Sequence, residues 1–279
     1  MSLKEKAMLV TLNISQWTAR KLDKTATKEV AENHKSDINM GRYHKNLLAK
    51  EAMENIQKIV GAARQFHYEN SMPWNDCGQR LLPSKNYLNY IGKIRQFKEE
   101  FTAEVEALTS NYCSLIQEAR LRLNGLFNYN DYPASIQGKF CFTADIDPIP
   151  NANDFRVEIS ENETARIRTE IEDKLKENTH KAMRDLWERT YTCVARMSER
   201  LGDPEAIFRN TLIGNLKTLC ELLPRLNVTD DPELEKFRVE IEQKLAGVNP
   251  DALRDNKGKR LETAAKAHEI MNRMSGYMG

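Results

Sequence analysis

Apolar residues recur along this chain with two periods, and the places where the period changes divide it. From Met8 to Ile14, Val10, Leu12 and Ile14 alternate with Thr11 and Asn13, which predicts a short half-buried strand. Ser15 can cap a helix after it. Ala19, Leu22, Ala26 and Val30 then mark one face of a helix expected from Trp17 to about Glu32. Asp37 to Gly41 reads as a break, and a second helix is expected from Arg42 to Glu69 with Leu48, Ala52, Ile56, Ile59, Ala63 and Phe66 on its buried stripe. Two prolines and a glycine between Ser71 and Ser84 predict a loop, anchored by Trp74.

A long helix is expected from Ser84 to about Leu123. Ile91, Ile94, Phe101, Val105, Leu108, Tyr112 and Leu115 sit at a and d heptad spacing, interrupted at Lys98. At 1.5 Å per residue such a helix is about 60 Å long. So narrow a stripe predicts a coiled-coil seam offered to a partner or to another copy. The period returns to two in KFCFTADIDPIPNANDFRVEIS, residues 139–160. There Phe140, Phe142, Ala144 and Ile146, then Phe155, Val157 and Ile159, predict a β-hairpin. A second long helix is expected from Asn162 to Leu201. Asp203-Pro204, Asp231-Pro232 and Asn249-Pro250 each look like a helix start, a capping side chain followed by proline in the first turn.

These elements predict an α+β protein, mostly α. Two long helices accompany a small antiparallel sheet, made of the hairpin near 139–160 and the N-terminal strand, and a C-terminal helical bundle comes after them. The expected division is 1–160 for the helical domain with the sheet and 161–250 for the helical region. Residues 251–279 read as a polar tail of flexible composition, with a weak helix near Leu261–Met274.

Composition adds boundaries more than content. Lys and Arg number 42 against 41 Asp and Glu, so no global field draws the chain to nucleic acid or membrane. No apolar run approaches the roughly 20 residues that cross a bilayer. The first residues, MSLKEKAMLVTLNIS, lack the apolar core of roughly 7–15 residues that marks a secretory signal, so a cytoplasmic setting is expected. Five scattered cysteines without a CxxC pair agree with reduced thiols.

No phosphate-binding glycine loop, HExxH or GxSxG motif occurs, and the histidines are dispersed. His67 and Cys77 flank a loop without the tight ligand pairs a zinc site favours. Asp145, Asp147, Asn151, Asn153, Asp154 and Glu158 supply oxygens in the hairpin. A calcium loop starting at Asp147 would place Ile149 at its third position and Ala152 at its sixth, where oxygen and glycine belong. A solvated hairpin is the better reading. No metal, cofactor or catalytic residue is expected, and an unfamiliar enzyme would draw on the polar residues of 71–84 or 145–154.

One basic stretch stands out against the neutral total. Residues 20–50 hold eight Lys or Arg against four Asp or Glu. Arg20, Lys24 and Lys28, at i, i+4 and i+8, could track phosphates. Lys45 is a further phosphate contact, and Trp17 is the residue to stack on a base.

The runs NISQWTARKLDKTATKEV, GRYHKNLLAKEAMENIQKI, ARQFHYENSMPW and RLLPSKNYLNY resemble a set of phage- and prophage-encoded proteins of unknown function, over roughly residues 8–160. Their genes often lie near those for MoxR-type AAA+ ATPases and von Willebrand A-domain proteins. The resemblance implies a phage or bacterial cytoplasmic setting and a AAA+ partner, and it brings no catalytic residues. The expected function is that of a non-enzymatic helical interaction or assembly protein, with a protein partner or further copies of itself. The alternative is nucleic-acid binding through the basic N-terminal face.

Overall fold

The computed structural model describes residues 3–154 and 159–277. It is an α+β protein, mostly helical. A short turn of helix, α1 (Leu3–Lys6), leads into strand β1 (Ala7–Ser15), the expected strand, though Leu9 and Val10 are both buried, so the expected alternation of one buried and one open face does not hold there. Strand β2 (Arg20–Leu22), helix α2 (Lys24–His34) and strand β3 (His44–Asn46) come next. Helix α3 (Glu51–Glu69) leads to strands β4 (Met72–Pro73) and β5 (Arg80–Pro83), and then to helices α4 (Ser84–Ser110) and α5 (Tyr112–Leu123). Strand β6 (Cys141–Asp147) precedes helices α6 (Glu161–Gly202), α7 (Thr211–Leu226), α8 (Pro232–Ile241), α9 (Pro250–Asp255) and α10 (Lys257–Met274). The strands form a four-stranded sheet in the order β4-β5-β1-β6 and a separate pair, β2-β3.

Several expectations are corrected here. The helix foreseen from Trp17 begins only at Lys24. The carboxylate of Asp23 accepts the Ala26 amide at 3.0 Å and stops the helix from extending backwards, and Arg20–Leu22 joins a strand pair instead. The helix foreseen from Arg42 begins at Glu51, because His44–Asn46 supplies the partner strand. The loop at 71–84 contains a hairpin, with Met72 opposite Leu81 and Pro73 opposite Arg80. Its strands are two and four residues long, too short for a period of two to register. The hairpin turn uses Gly78 at φ 87° and the Asn75 side chain, which accepts the Cys77 and Gln79 amides. Trp74 is buried, as expected of an anchor.

Of the hairpin expected at 139–160, the outgoing strand is β6. Of the return strand expected over 154–160, residues 155–158 lie outside the described residues, and the described ends, Asp154, Ile159 and Ser160, are not strand. Ala152–Asp154 forms a 3₁₀ turn, and Ser160 caps α6 through the Glu163 amide. Asp203-Pro204 opens no helix, and α7 begins at Thr211, whereas Asp231 and Asn249 do cap α8 and α9. The helix expected near Leu261–Met274 is present as α10, starting at Lys257, and it is packed where a flexible tail was expected, burying Thr263, Ala264, Ala267, Ile270 and Met274.

Contacts divide the chain into two compact units, one of residues 1–11, 68–90 and 146–279, the other of residues 12–67 and 91–145. In the first unit the core gathers on the C-terminal half of α6. Ala182, Leu186, Trp187, Thr190, Val194, Met197 and Leu201 are buried, at the spacing of one helix face. They pack with the stripes of α7 (Ile213, Leu216, Cys220, Leu223) and α10. The small side chains of Ala264 and Ala267 let α10 approach closely. Asp231 ties α8 to α6. One of its oxygens caps α8 through the Glu233 and Leu234 amides, and the other accepts the Trp187 indole N–H at 3.0 Å. Trp187 in turn meets Phe237 edge-on at 5.7 Å and stacks on Tyr277 at 5.1 Å.

Asp231→Ala removes a helix cap and leaves the Trp187 N–H without its acceptor. The loss should reach about 2–3 kcal/mol, roughly 1–2 for the cap and about 1 more for the unpaired donor. Urea titration followed by Trp fluorescence reads it as a lower midpoint.

Candidate functional site

The basic stretch of residues 20–50 folds as a small lobe of the second unit. β2 and β3 pair antiparallel, Arg20 opposite Asn46, Lys21 opposite Lys45 and Leu22 opposite His44. The pairing extends through Asp23 N–H to Tyr43 O (2.9 Å) and Leu47 N–H to Ala19 O (2.7 Å). α2 is clipped to β3 by one hydroxyl. Thr27 Oγ1 donates to Asp23 O at 2.6 Å and accepts the Tyr43 amide at 3.0 Å.

Lys45 is the keystone of this lobe. Its side chain is 5% exposed, and its ammonium lies 2.9 Å from Asp23 Oδ2, 2.9 Å from Asp131 Oδ2 and 2.6 Å from Leu126 O. Three acceptors for three N–H donors satisfy it completely. Its two carboxylate partners outweigh burial and raise its pKa, while the Ala26 amide and Lys45 hold Asp23 below the usual carboxylate range. Tyr132 O–H donates to Leu47 O at 2.8 Å beside it.

The expected phosphate contacts therefore separate. Lys45 is sealed against two carboxylates and presents nothing to a phosphate, which corrects its assignment. Arg20 lies on β2 and not on a helix with Lys24 and Lys28, so the three do not form one i, i+4, i+8 row. All three are exposed, and Lys28 pairs with Glu32 at 3.5 Å. Trp17 is half-buried and meets Tyr112 edge-on at 5.9 Å. That contact makes it a packing residue more than an open stacking platform.

The seam of α4 and α5 also changes meaning. Ile94, Phe101, Val105, Leu108 and Tyr112 are buried inside the second unit, and Ile91 and Leu115 are half-buried. Phe97 meets Phe66 of α3, Phe101 meets Phe140 and Phe142, and Tyr112 O–H donates to Pro133 O. The narrow stripe is covered by this chain's own residues, so it is not a free coiled-coil face. A break at Asn111 separates α4 from α5.

The exposed apolar residues of the lobe were not legible as part of a site. Arg20, Lys21, Lys24, Lys35, Arg42 and Lys50 form no ion pair among the described residues. With Lys45 and Asp23 neutralising each other, the lobe retains seven cations against three carboxylates. Val30 (49%), Ile38 (49%), Met40 (83%) and Tyr43 (39%) are large apolar residues exposed within 14 positions. An open groove of about 260 Å³ runs between α2 and the Gly41–Tyr43 segment. The available signal was Ile38 and Met40 standing in an otherwise polar stretch.

Elsewhere, polar clusters are structural. In the first unit Arg80 donates to Ser71 Oγ and Ser71 O at 2.8 Å each. Arg189 donates to the same carbonyl at 2.9 Å and pairs with Asp185 at 2.6 Å. Burial raises the Asp185 carboxyl and lowers the Arg80 guanidinium, and both are held by these partners. Among the described residues no group of three or more His, Cys, Asp or Glu could hold a metal, and no helix is long and apolar enough to cross a membrane. Comparison with family models, with curated proteins and with solved structures finds no match to this chain.

Lys45→Met should lower stability by about 3 kcal/mol, since it leaves two carboxylates facing each other with no cation between them. The pH dependence comes from the directions of the shifts. Asp23 is lowered, so its contribution is full above its ordinary 3.8 and is lost as pH falls through the folded value. Lys45 is raised, so its contribution is full below its ordinary 10.5 and is lost as pH rises through the folded value. Denaturation midpoints of parent and variant should diverge across neutral pH and converge in strong acid.

Proposed function

We propose that this is a non-enzymatic interaction protein that docks an acidic partner on the lobe of residues 20–50. The observation that carries this reading is the coincidence of unpaired cations with exposed apolar side chains on one small, internally braced element. Exposed apolar clusters rimmed by polar groups mark docking surfaces. Local positive charge steers an acidic partner even when the whole chain is neutral. The resemblance to phage-encoded proteins adds a bacterial cytoplasmic setting and a AAA+ ATPase as a partner to try. Self-association through α4 loses its motive, because that stripe already has an occupant.

A second reading, nucleic-acid binding, is favoured by the six cations that form no ion pair among the described residues and by the exposed Tyr43 ring. Its contacts would be Arg20, Lys24 and Arg42, with Lys45 removed from the set.

Cross-linking of the protein to partners captured from host lysate should concentrate on Lys21, Lys24, Lys28 and Lys35. Changing Lys21, Lys24 and Lys35 together to Glu should reduce capture by roughly ten-fold or more, because like charges then face an acidic surface. Circular dichroism should stay unchanged, since none of the three side chains is buried. Undiminished capture by this variant would remove the lobe from the function. Fluorescence anisotropy with single- and double-stranded oligonucleotides decides the second reading. Each of Arg20, Lys24 and Arg42 changed to Ala should lower the salt slope by roughly one unit if phosphates are bound.

A further inference from the structure

The groove between α2 and Gly41–Tyr43 is more specific than its charge. Thr27, Val30 and Ala31 form one wall, Arg42 and Tyr43 the other. Both walls are fixed before any partner arrives. The Thr27 hydroxyl joins α2 to the Tyr43 amide, and Asp23, held by Lys45, caps the helix. At the far end Lys35 adopts a left-handed conformation, φ 51°, and its N–H returns to Ala31 O and Glu32 O. The chain thereby turns sharply into the 3₁₀ turn Ile38–Met40, where the Asp37 side chain accepts the Asn39 amide at 2.8 Å. The turn sets Ile38 and Met40 out in solvent beside the groove. A preformed apolar slot avoids much of the ordering cost of binding.

We propose that this groove receives a single large apolar side chain, Leu or Trp in character, from an acidic protein segment whose carboxylates meet Arg42, Lys24 and Lys35. The proposal rests on the reading of the lobe as a docking surface and specifies the partner that surface selects. The volume of about 260 Å³ suits one large side chain and not a helix. Charge complementarity sets the flanks, with seven cations against three carboxylates on the lobe. A protein segment fits better than a nucleic acid for two reasons. Three of the four exposed apolar residues are aliphatic, which gives a base little to stack on. Asp37 lies in the groove lining, and Glu29 and Glu32 stand exposed on α2. These carboxylates would oppose a continuous phosphate track, whereas a peptide can space its charges to avoid them.

The test uses the full chain and a labelled synthetic peptide in which a Leu-Trp pair is flanked on both sides by Glu and Asp. A control peptide carries Ala-Ala in place of the pair. Anisotropy should show saturable binding of the first peptide and at least ten-fold weaker binding of the control. Val30→Glu and Met40→Glu, both at exposed positions, should each abolish that preference at unchanged circular dichroism. Ile207→Glu, at a 91% exposed site in the other unit, should leave it intact. Equal binding of the two peptides overturns the groove while leaving the basic docking surface standing. Absence of binding by either peptide overturns both. An oligonucleotide that displaces the Leu-Trp peptide and loses affinity in Val30→Glu makes the groove a nucleic-acid site and overturns the proposal. So does a concentration-dependent dimer in sedimentation that Val30→Glu dissociates, since the occupant is then a second copy.

Discussion

A buried ammonium must find its acceptors within reach or cost the fold several kilocalories per mole. Lys45 finds three, and the lobe is built around that requirement. Two of the three come from residues 126 and 131, about 80 positions later in the chain, so the interaction fixes a long-range contact. The third comes from Asp23, whose other oxygen caps α2. One charge thus sets where the helix begins, which strand it lies beside and how Tyr43 is presented. Without it, a two-stranded sheet of three-residue strands would be marginal in water.

Periodic elements could be read from the chain because burial imposes a period wherever one face of a long element is covered. α3, α4 and α6 were all visible that way, and the caps at Asp231 and Asn249 were visible from their residue types. Short elements were not. β2, β3, β4 and β5 have too few residues to show an alternation, and they form because other strands supply their hydrogen bonds, β3 for β2 across about 20 positions and β1 for β5 across about 70. The same limit misled the reading of Asp203-Pro204. A capping carboxylate and a proline are compatible with a helix start, but Arg260 donates to the carbonyls of Leu201, Asp203 and Ala206 and holds that segment open.

The site was less legible than the fold. Sequence spacing placed Arg20, Lys24, Lys28 and Lys45 together by their charge, yet charge alone does not say which cation is buried. Asp131 decides that for Lys45, and nothing near Lys45 in sequence announces it. The seam was misread for the complementary reason. A narrow apolar stripe records that something covers it, and says nothing of whether the cover is another molecule or Phe66, Phe140 and Phe142 of the same chain.

Net charge is a poor guide to partners for the same local reason. Screening confines the influence of an exposed charge to about 8 Å at physiological salt. An approaching group therefore responds to the cations beside it and not to the chain's total. A total of +1 conceals a lobe with seven cations and three carboxylates, and leaves the rest of the chain with a small acidic excess. The exposed side chains of Ile38 and Met40 sharpen that contrast. Aliphatic groups standing in water beside unpaired cations contribute nothing evident to this fold, whereas the buried stripes of α4, α6, α7 and α10 already supply its cores. A surface that the fold does not need, held rigid by a charge that the fold cannot do without, is where the chain's chemistry is open to a partner.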